Sequence, residues 1–329
     1  MKALITGGAG FIGYHLTKEL LAHGYEIVIA DNLSRGVMDS FLSELEKTGK
    51  IKFISADLME KENVLSLGDD YDYIYHLAAI IGVQNVLRQP YNVLNKNVEL
   101  TANLIELGHI QKHLKRFIFA STSEIYAGTL QFYGMQIPTP EDTPLTITPL
   151  EHPRTSYMLS KIYGEAMVIA SGLPYTIQRP HNYYGPRMGM SHVIPELLKK
   201  AYFAEPGSTL DVYSVDHRRT FCYVSEAVAM MRALAEAPEA ENQSYNVGNQ
   251  SPEVTIREVA ETVIRVVGKD LTVNPLPATP GSPERRCPSM EKTRAVVGFG
   301  GEVSLEEGVR MTFDWYKKYI FDGNELSAK

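Results

Sequence analysis

Cysteine is nearly absent from this chain, which has two, Cys222 and Cys287, among 329 residues. A pair so far apart builds no disulfide framework and lacks zinc-ligand spacing, so both are expected as reduced thiols and no metal is expected. Long apolar runs are missing too: none approaches the roughly 18 residues that cross a bilayer. Met1–Thr6 runs straight into a glycine cluster rather than a signal-peptide core, so no membrane contact and a cytoplasmic location are expected. Basic residues are in deficit, 32 against 39 acidic, for a net charge of -7. A nucleic-acid partner usually demands a basic face and is not expected. Any anionic ligand must be held by a few local arginines.

What remains is an ordinary globular composition, 44% hydrophobic and 22% charged, in a chain long enough for one large domain or two joined ones. The first half alternates short apolar runs with helical patterns, which predicts βαβ units feeding a parallel sheet. Strands are predicted at 2–6, 26–31, 52–57, 72–79, 116–122 and 175–181. Ile12, Leu16 and Leu20 recur every fourth residue on a helix between the first two, and Gly24 stands where a left-handed terminal residue is expected. Pro138, Pro140, Pro144, Pro149 and Pro153 exclude continuous helix or central strand from 127–154, predicting an ordered loop near the active site. Past residue 182 the alternation weakens. Thr255 with Glu258 and Ser304 with Glu307 predict capped helices, and 274–288 is too proline-rich for regular structure. The fold class is α/β: a doubly wound parallel sheet over 1–181 and a smaller α+β domain over 182–329, some segments of which return to the sheet.

Thr6-Gly7-Gly8-Ala9-Gly10-Phe11-Ile12-Gly13 follows a predicted strand and opens a predicted helix. Glycines there let the backbone approach a pyrophosphate, which the free N–H groups of the helix N-terminus stabilise. Asp31 ends the next strand, where a carboxylate accepts hydrogen bonds from both adenosine ribose hydroxyls and repels a 2′-phosphate, favouring NAD over NADP. Asp57, ending the third strand, lies near the adenine edge or else caps a helix. Ala78 and Ala79 lie near the middle of the cofactor, since ligands collect at strand C-termini.

Tyr157 and Lys161 are four residues apart and share a helix face. A cation beside a phenol lowers its pKa and makes it a usable base. At the end of the fifth strand, Thr122 can share a substrate hydroxyl with Tyr157, and Glu124 offers a second acid or base. His76, inside an apolar strand, is expected in the core. His181, His192 and His217 are read as polar loop residues, with contact to an unusual sugar as the alternative.

The glycine motif, Asp31, Ala78-Ala79, Thr122-Ser123-Glu124, Tyr157 to Lys161, Arg179 to Arg187, Arg218 to Val224 and Tyr245 to Gly248 together resemble the NAD-dependent epimerase/dehydratase family, in its order and over nearly the whole chain. The resemblance implies a Rossmann domain with Thr122, Ser123, Glu124, Tyr157 and Lys161 as the catalytic set. It implies an NAD site at Gly7, Gly10, Phe11, Ile12, Gly13, Asp31, Asn32, Asp57, Leu58, Ala78, Ala79 and Asn97, with Tyr157 and Lys161. It further implies a nucleoside-diphosphate sugar held by Asn182, Arg187, Arg219 and Arg286, and a homodimer packed through helices near 91–111 and 155–171. Chemistry would pass through a 4-keto sugar, leading to epimerisation or dehydration. Ser123 is a far poorer acid than the aspartate of many family dehydratases. The Thr-Ser-Glu form resembles GDP-mannose dehydratases and UDP-glucuronate decarboxylases, so decarboxylation is the alternative. A Rossmann sensor without catalysis is the rival of another class, but such a protein is expected to lose the tyrosine-lysine pair.

Overall fold

The computed structural model describes residues 1–279 and 282–323. Its frame is a sheet of parallel strands: β1 (Lys2–Thr6), β2 (Glu26–Asp31), β3 (Ile51–Ser55), β4 (Tyr73–His76), β5 (Arg116–Ala120) and β6 (Tyr175–Pro180), joined by Gln243–Val247. Across the sheet the order is Gln243–Val247, β6, β5, β4, β1, β2, β3. The direction of winding therefore reverses between β1 and β4, where a crevice opens at the strand C-termini. β4, β5 and β6 end before the predicted limits because residues 77–79, 121–122 and 181 leave the ladder to line that crevice. β3 is likewise shifted, to 51–55.

The strands carry near-continuous apolar runs, as a sheet covered on both faces requires. On one face Leu4, Ile74, Phe117 and Phe119 pack with Leu100, Leu104 and Val168 of the helices Pro90–His109 and Thr155–Ala170. On the other, Ile5, Ile29 and Tyr75 meet Leu16 and Leu20 of Phe11–Ala22, together with Val228 and Met231 of Val224–Glu236. A separate cluster, including Leu198, Val212, Val263 and Tyr316, forms the core of the C-terminal unit.

Two proline-rich segments are more regular than their composition suggests. Residues 127–133 form a short helix, because the prolines of that segment begin only at Pro138. Thr272–Leu276 pairs in parallel with Thr209–Tyr213, Pro275 included. A two-stranded sheet has a free edge on each strand, so a missing N–H is tolerated there. Arg285–Arg286 likewise pairs with Arg218–Arg219, while Pro280 and Gly281 lie outside the described residues. Thr255 completes its capping box with Glu258, and Ser304 accepts from Glu307 N at 3.2 Å. None of the described helices is long and apolar enough to cross a membrane.

Candidate active site

The glycine loop bends tightly at the C-terminal end of β1, inside the sheet. Gly7 has φ +70°, and a Cβ there would lie 2.9 Å from Ala78 N; at Gly13 it would lie 2.5 Å from Gly7 O. Only glycine allows this approach. Gly10 caps the Phe11–Ala22 helix without any side-chain hydrogen bond, which leaves first-turn N–H groups, those of Phe11 and Ile12 among them, for an anion. Asp31 is 8% exposed. Its Oδ2 accepts from Ala9 N at 3.1 Å and its Oδ1 from Leu33 N at 2.8 Å. Burial raises its pKa, against the pull of those two backbone donors. Each oxygen keeps a lone pair for a ribose hydroxyl. A cradle that only glycine fits, a helix N-terminus and a buried carboxylate at the neighbouring strand end suit a dinucleotide without a 2′-phosphate.

The other expected cofactor residues divide. Ala78 N donates to Thr6 Oγ1 at 3.2 Å, and Ala79 follows it along the crevice. Asn32 is exposed, its Oδ1 accepting from Ser34 N at 3.0 Å. Asp57 is exposed and turns the chain by accepting from Met59 N at 3.1 Å. It caps no helix, since Glu60 holds that position. The Leu58 side chain is buried in the core. Asn97 clamps the backbone of Ile80 at 2.7 and 3.1 Å and donates to Ser160 Oγ at 3.2 Å. It therefore holds the floor of the crevice in place.

Tyr157 and Lys161 stand one turn apart on Thr155–Ala170, and burial disfavours the charged form of both. Lys161 is 4% exposed, and its Nζ donates to Ala120 O at 2.7 Å. Burial lowers its pKa to about 8. The Tyr157 phenol is instead raised, chiefly by burial and then by Glu124, with a hydrogen bond from Thr122 and the charge of Arg35 opposing. Desolvation outweighs the opposing hydrogen bond and cation at this phenol. Thr122 also accepts from Glu124 N at 3.2 Å, which turns the chain into Ser123–Tyr126. Ser123 is buried.

Glu124 Oε1 lies 2.7 Å from Arg286 Nη2, a pair brought together across the fold by strand Arg285–Arg286. Arg286 lowers the Glu124 pKa most; burial opposes, and Arg154 and Arg219 add to the lowering. Arg219 donates to the carbonyls of Arg218 and Glu284, at 2.7 and 3.2 Å, and of Pro283, at 2.5 Å. It anchors the loop that delivers Arg286. Two residues expected at the ligand also bond within the protein. Asn182 donates to Thr220 O at 2.9 Å. Arg187 stacks 3.9 Å from the Tyr14 ring and pairs with Asp39 at 2.9 Å, both side chains buried. Its Arg187–Asp39 contact ties the loop after β2 to the segment after β6. Nη2 of this guanidinium is paired, and Nη1 stays buried without a partner.

Three histidines are also settled. His76 is 1% exposed between Thr6 and Thr101. His181 follows β6 in a loop and is buried against Asn246. His217 is buried as well, 3.4 Å from Ser282 Oγ. Two further arginines act at the site. Arg154 precedes Tyr157 by one helical turn, an i−3 spacing that the sequence displays. Arg35 reaches the far wall of the crevice, with Nη1 3.8 Å from where a Gly82 Cβ would be. Nothing in its flanking sequence marks that reach.

The class defined by this fold and site is a Rossmann enzyme of the tyrosine-lysine type. The family model for NAD-dependent epimerases and dehydratases matches residues 3–248, and the chain belongs to that family. UDP-N-acetyl-alpha-D-glucosaminuronate decarboxylase of Bacillus cytotoxicus is 32% identical over 96% of this chain and 98% of its own. UDP-glucuronic acid decarboxylase 1 of Xenopus tropicalis is 30% identical over 97% of this chain and 73% of its own. Among solved structures, UDP-glucose 4-epimerase of Thermotoga maritima, solved with UDP-glucose, superposes with a TM-score of 0.83 at 26% identity, covering 97% of this chain and 100% of that one. UDP-glucuronic acid 4-epimerase of Bacillus cereus, in complex with UDP-glucuronic acid and NAD, gives 0.82 at 26%, covering 97% and 99%. The protein is an NAD-dependent nucleotide-sugar-modifying enzyme of the isomerase and lyase classes.

Proposed function

We propose that this enzyme decarboxylates a UDP-linked hexuronate in the cytoplasm, by way of a 4-keto sugar. The observation that carries the reading is the set of guanidiniums, from Arg286, Arg154 and Arg219, that act on the single carboxylate Glu124 beside Tyr157. An acidic sugar brings a second carboxylate, which such a cationic corner favours. Ser123 is a far poorer acid than an aspartate for expelling a C6 hydroxyl, which weakens the case for dehydration. The decarboxylase names of the relatives point the same way.

In this reading Gly7, Gly10, Gly13 and Asp31 hold the dinucleotide, and Arg286, held in place by the loop that Arg219 anchors, faces the sugar carboxylate. Bound NAD supplies the hydride acceptor and later the donor. Thr122 shares the C4 hydroxyl with Tyr157, whose phenolate takes its proton. Lys161, fixed by Ala120 O, keeps a positive charge beneath the site. Once C4 is a ketone, C6 is the carboxylate of a β-keto acid and leaves as carbon dioxide. Two copies of the chain pair through Pro90–His109 and Thr155–Ala170, which expose Tyr91, Tyr163 and Ile169.

The test is incubation with NAD and, separately, UDP-glucuronate, UDP-N-acetylglucosaminuronate and UDP-glucose, followed by mass analysis. Loss of carbon dioxide from a uronate supports the reading. Isomer formation without mass change, or loss of water, overturns it.

A further inference from the structure

His181 follows β6 and is 1% exposed. Its Nε2 lies 3.1 Å from Asn246 Oδ1. The Asn246 amide is oriented by its own donors, since Nδ2 donates to Thr139 O at 2.9 Å and Ser289 O at 3.3 Å. Oδ1 is thus the atom that faces the ring, and it also accepts from the Tyr126 hydroxyl at 3.1 Å. An acceptor at that place puts the imidazole N–H on Nε2. Nδ1 is left as a lone-pair acceptor, buried and without a partner. The ring stays neutral, because burial, with Arg286 and Arg179 nearby, lowers its pKa to about 3.

A buried acceptor calls for a donor. His181 borders a small pocket together with Ser123, Tyr126, Leu130, Met135 and Arg286. The space left there for solvent is about 10 Å³, at the lower edge of the roughly 10–15 Å³ that a single water needs. The pocket adjoins the reacting corner, since Ser123 and Arg286 belong to both.

We propose that His181 is a positioning residue: through Nδ1 it holds one water in this pocket, and that water protonates C5 of the sugar after carbon dioxide departs. The second half rests on the decarboxylase reading above. Loss of carbon dioxide breaks the C5–C6 bond and leaves its electron pair in an enolate spread over C5 and the C4 oxygen. An O–H bond of the water then breaks as the C5–H bond forms. The hydroxide left behind takes a proton from solvent, so one proton is consumed per carbon dioxide released. Nδ1 accepts the other O–H of the water, and Ser123 Oγ and the Arg286 guanidinium can donate to its oxygen.

A crystal structure of the enzyme with NAD and UDP should show a solvent peak within hydrogen-bond distance of His181 Nδ1. A dry or closed pocket overturns the site whatever the reaction. With UDP-glucuronate in deuterium oxide, the wild type should place deuterium at C5 in one configuration. His181→Phe, which removes the acceptor, should slow turnover by about 100-fold and scramble that configuration. His181→Gln, which keeps an acceptor, should recover both in part, and it serves also if the phenylalanine variant does not fold. Wild-type rate and configuration in His181→Phe overturn the role in protonation. If the wild type releases no carbon dioxide from any hexuronate but the solvent peak is present, the decarboxylase reading and the proton-donor half fail together, and the water site stands.

Discussion

Lys161 Nζ sits 2.7 Å from the carbonyl oxygen of Ala120, the last residue of β5, and so joins the catalytic helix to the strand that carries Thr122 and Glu124. The ammonium is a fixed charge under the site rather than a mobile partner of Tyr157. Burial disfavours its charged form and lowers its pKa to about 8. The charge is therefore present below that pH and lost above it. We expect kcat/KM to fall above about pH 8, with this alkaline limb missing from the residual activity of Lys161→Met. Between about 8 and the ordinary lysine value of 10.5 the unfolded chain holds a proton that the folded one has released, so this group makes stability rise with pH across that window. Tyr157→Phe should leave NAD affinity unchanged while lowering turnover about 10²- to 10⁴-fold. Unchanged turnover would remove Tyr157 from the mechanism.

The Glu124–Arg286 pair makes a prediction of opposite sign. The guanidinium holds the Glu124 carboxyl below its usual range, so the carboxylate persists as pH falls through the ordinary carboxyl value. Replacing Arg286 with Met removes the largest contribution, and the acidic limb of kcat/KM should move to higher pH. Glu124→Gln should abolish that limb altogether. A pH–rate profile of both variants that overlays the wild type would show that Glu124 does not titrate in the working enzyme.

Asp39 and Arg187 form an ion pair with side chains 6% and 7% exposed. Asp39 also caps the helix Ser40–Glu46, accepting from Leu42 N at 3.0 Å. Asp39→Asn keeps a capping oxygen but strands a buried cation, which should cost about 3–5 kcal/mol of stability. Adding Arg187→Met to that variant should restore part of the loss, because no unpaired charge remains. Urea denaturation of the NAD-free protein measures both, and an Asp39→Asn variant as stable as the wild type would mean that the pair contributes nothing.

Such long-range pairs mark the limit of what the sequence reveals. β1 and β2 fall on the predicted residues because their apolar runs are bounded by charge and glycine. The glycine loop, Asp31 and the Thr122–Glu124 corner lie where strand ends put them. These are local signals, written within a few residues. Arg187, Asn182 and Arg219 are different: which of several carbonyls or carboxylates each side chain meets depends on crossings between Asp39, Thr220 and the 282–284 loop, far apart in the chain. The balance at Tyr157 was equally hidden, because residue spacing reports a neighbouring charge but not desolvation. Pro275 in a strand shows the same gap, since composition does not tell which strand edge is free.

The glycine loop gives a test that separates backbone freedom from space. Gly24 has φ +80° with open space around its missing Cβ, whereas the Cβ of an alanine at position 13 would lie 2.5 Å from both Gly7 O and Gly8 Cα. Gly24→Ala should therefore cost only about 1 kcal/mol, the penalty of a left-handed conformation, and leave NAD affinity unchanged. Gly13→Ala pushes against backbone atoms that cannot rotate away, so the loop must open and the first-turn N–H groups lose their common focus. A cradle misplaced by even about 1 Å costs on the order of 100-fold in function, and NAD affinity by titration calorimetry should fall by a similar factor. If Gly13→Ala binds NAD as tightly as Gly24→Ala, the pyrophosphate does not sit on this loop, and the assignment of the helix N-terminus as its anchor fails.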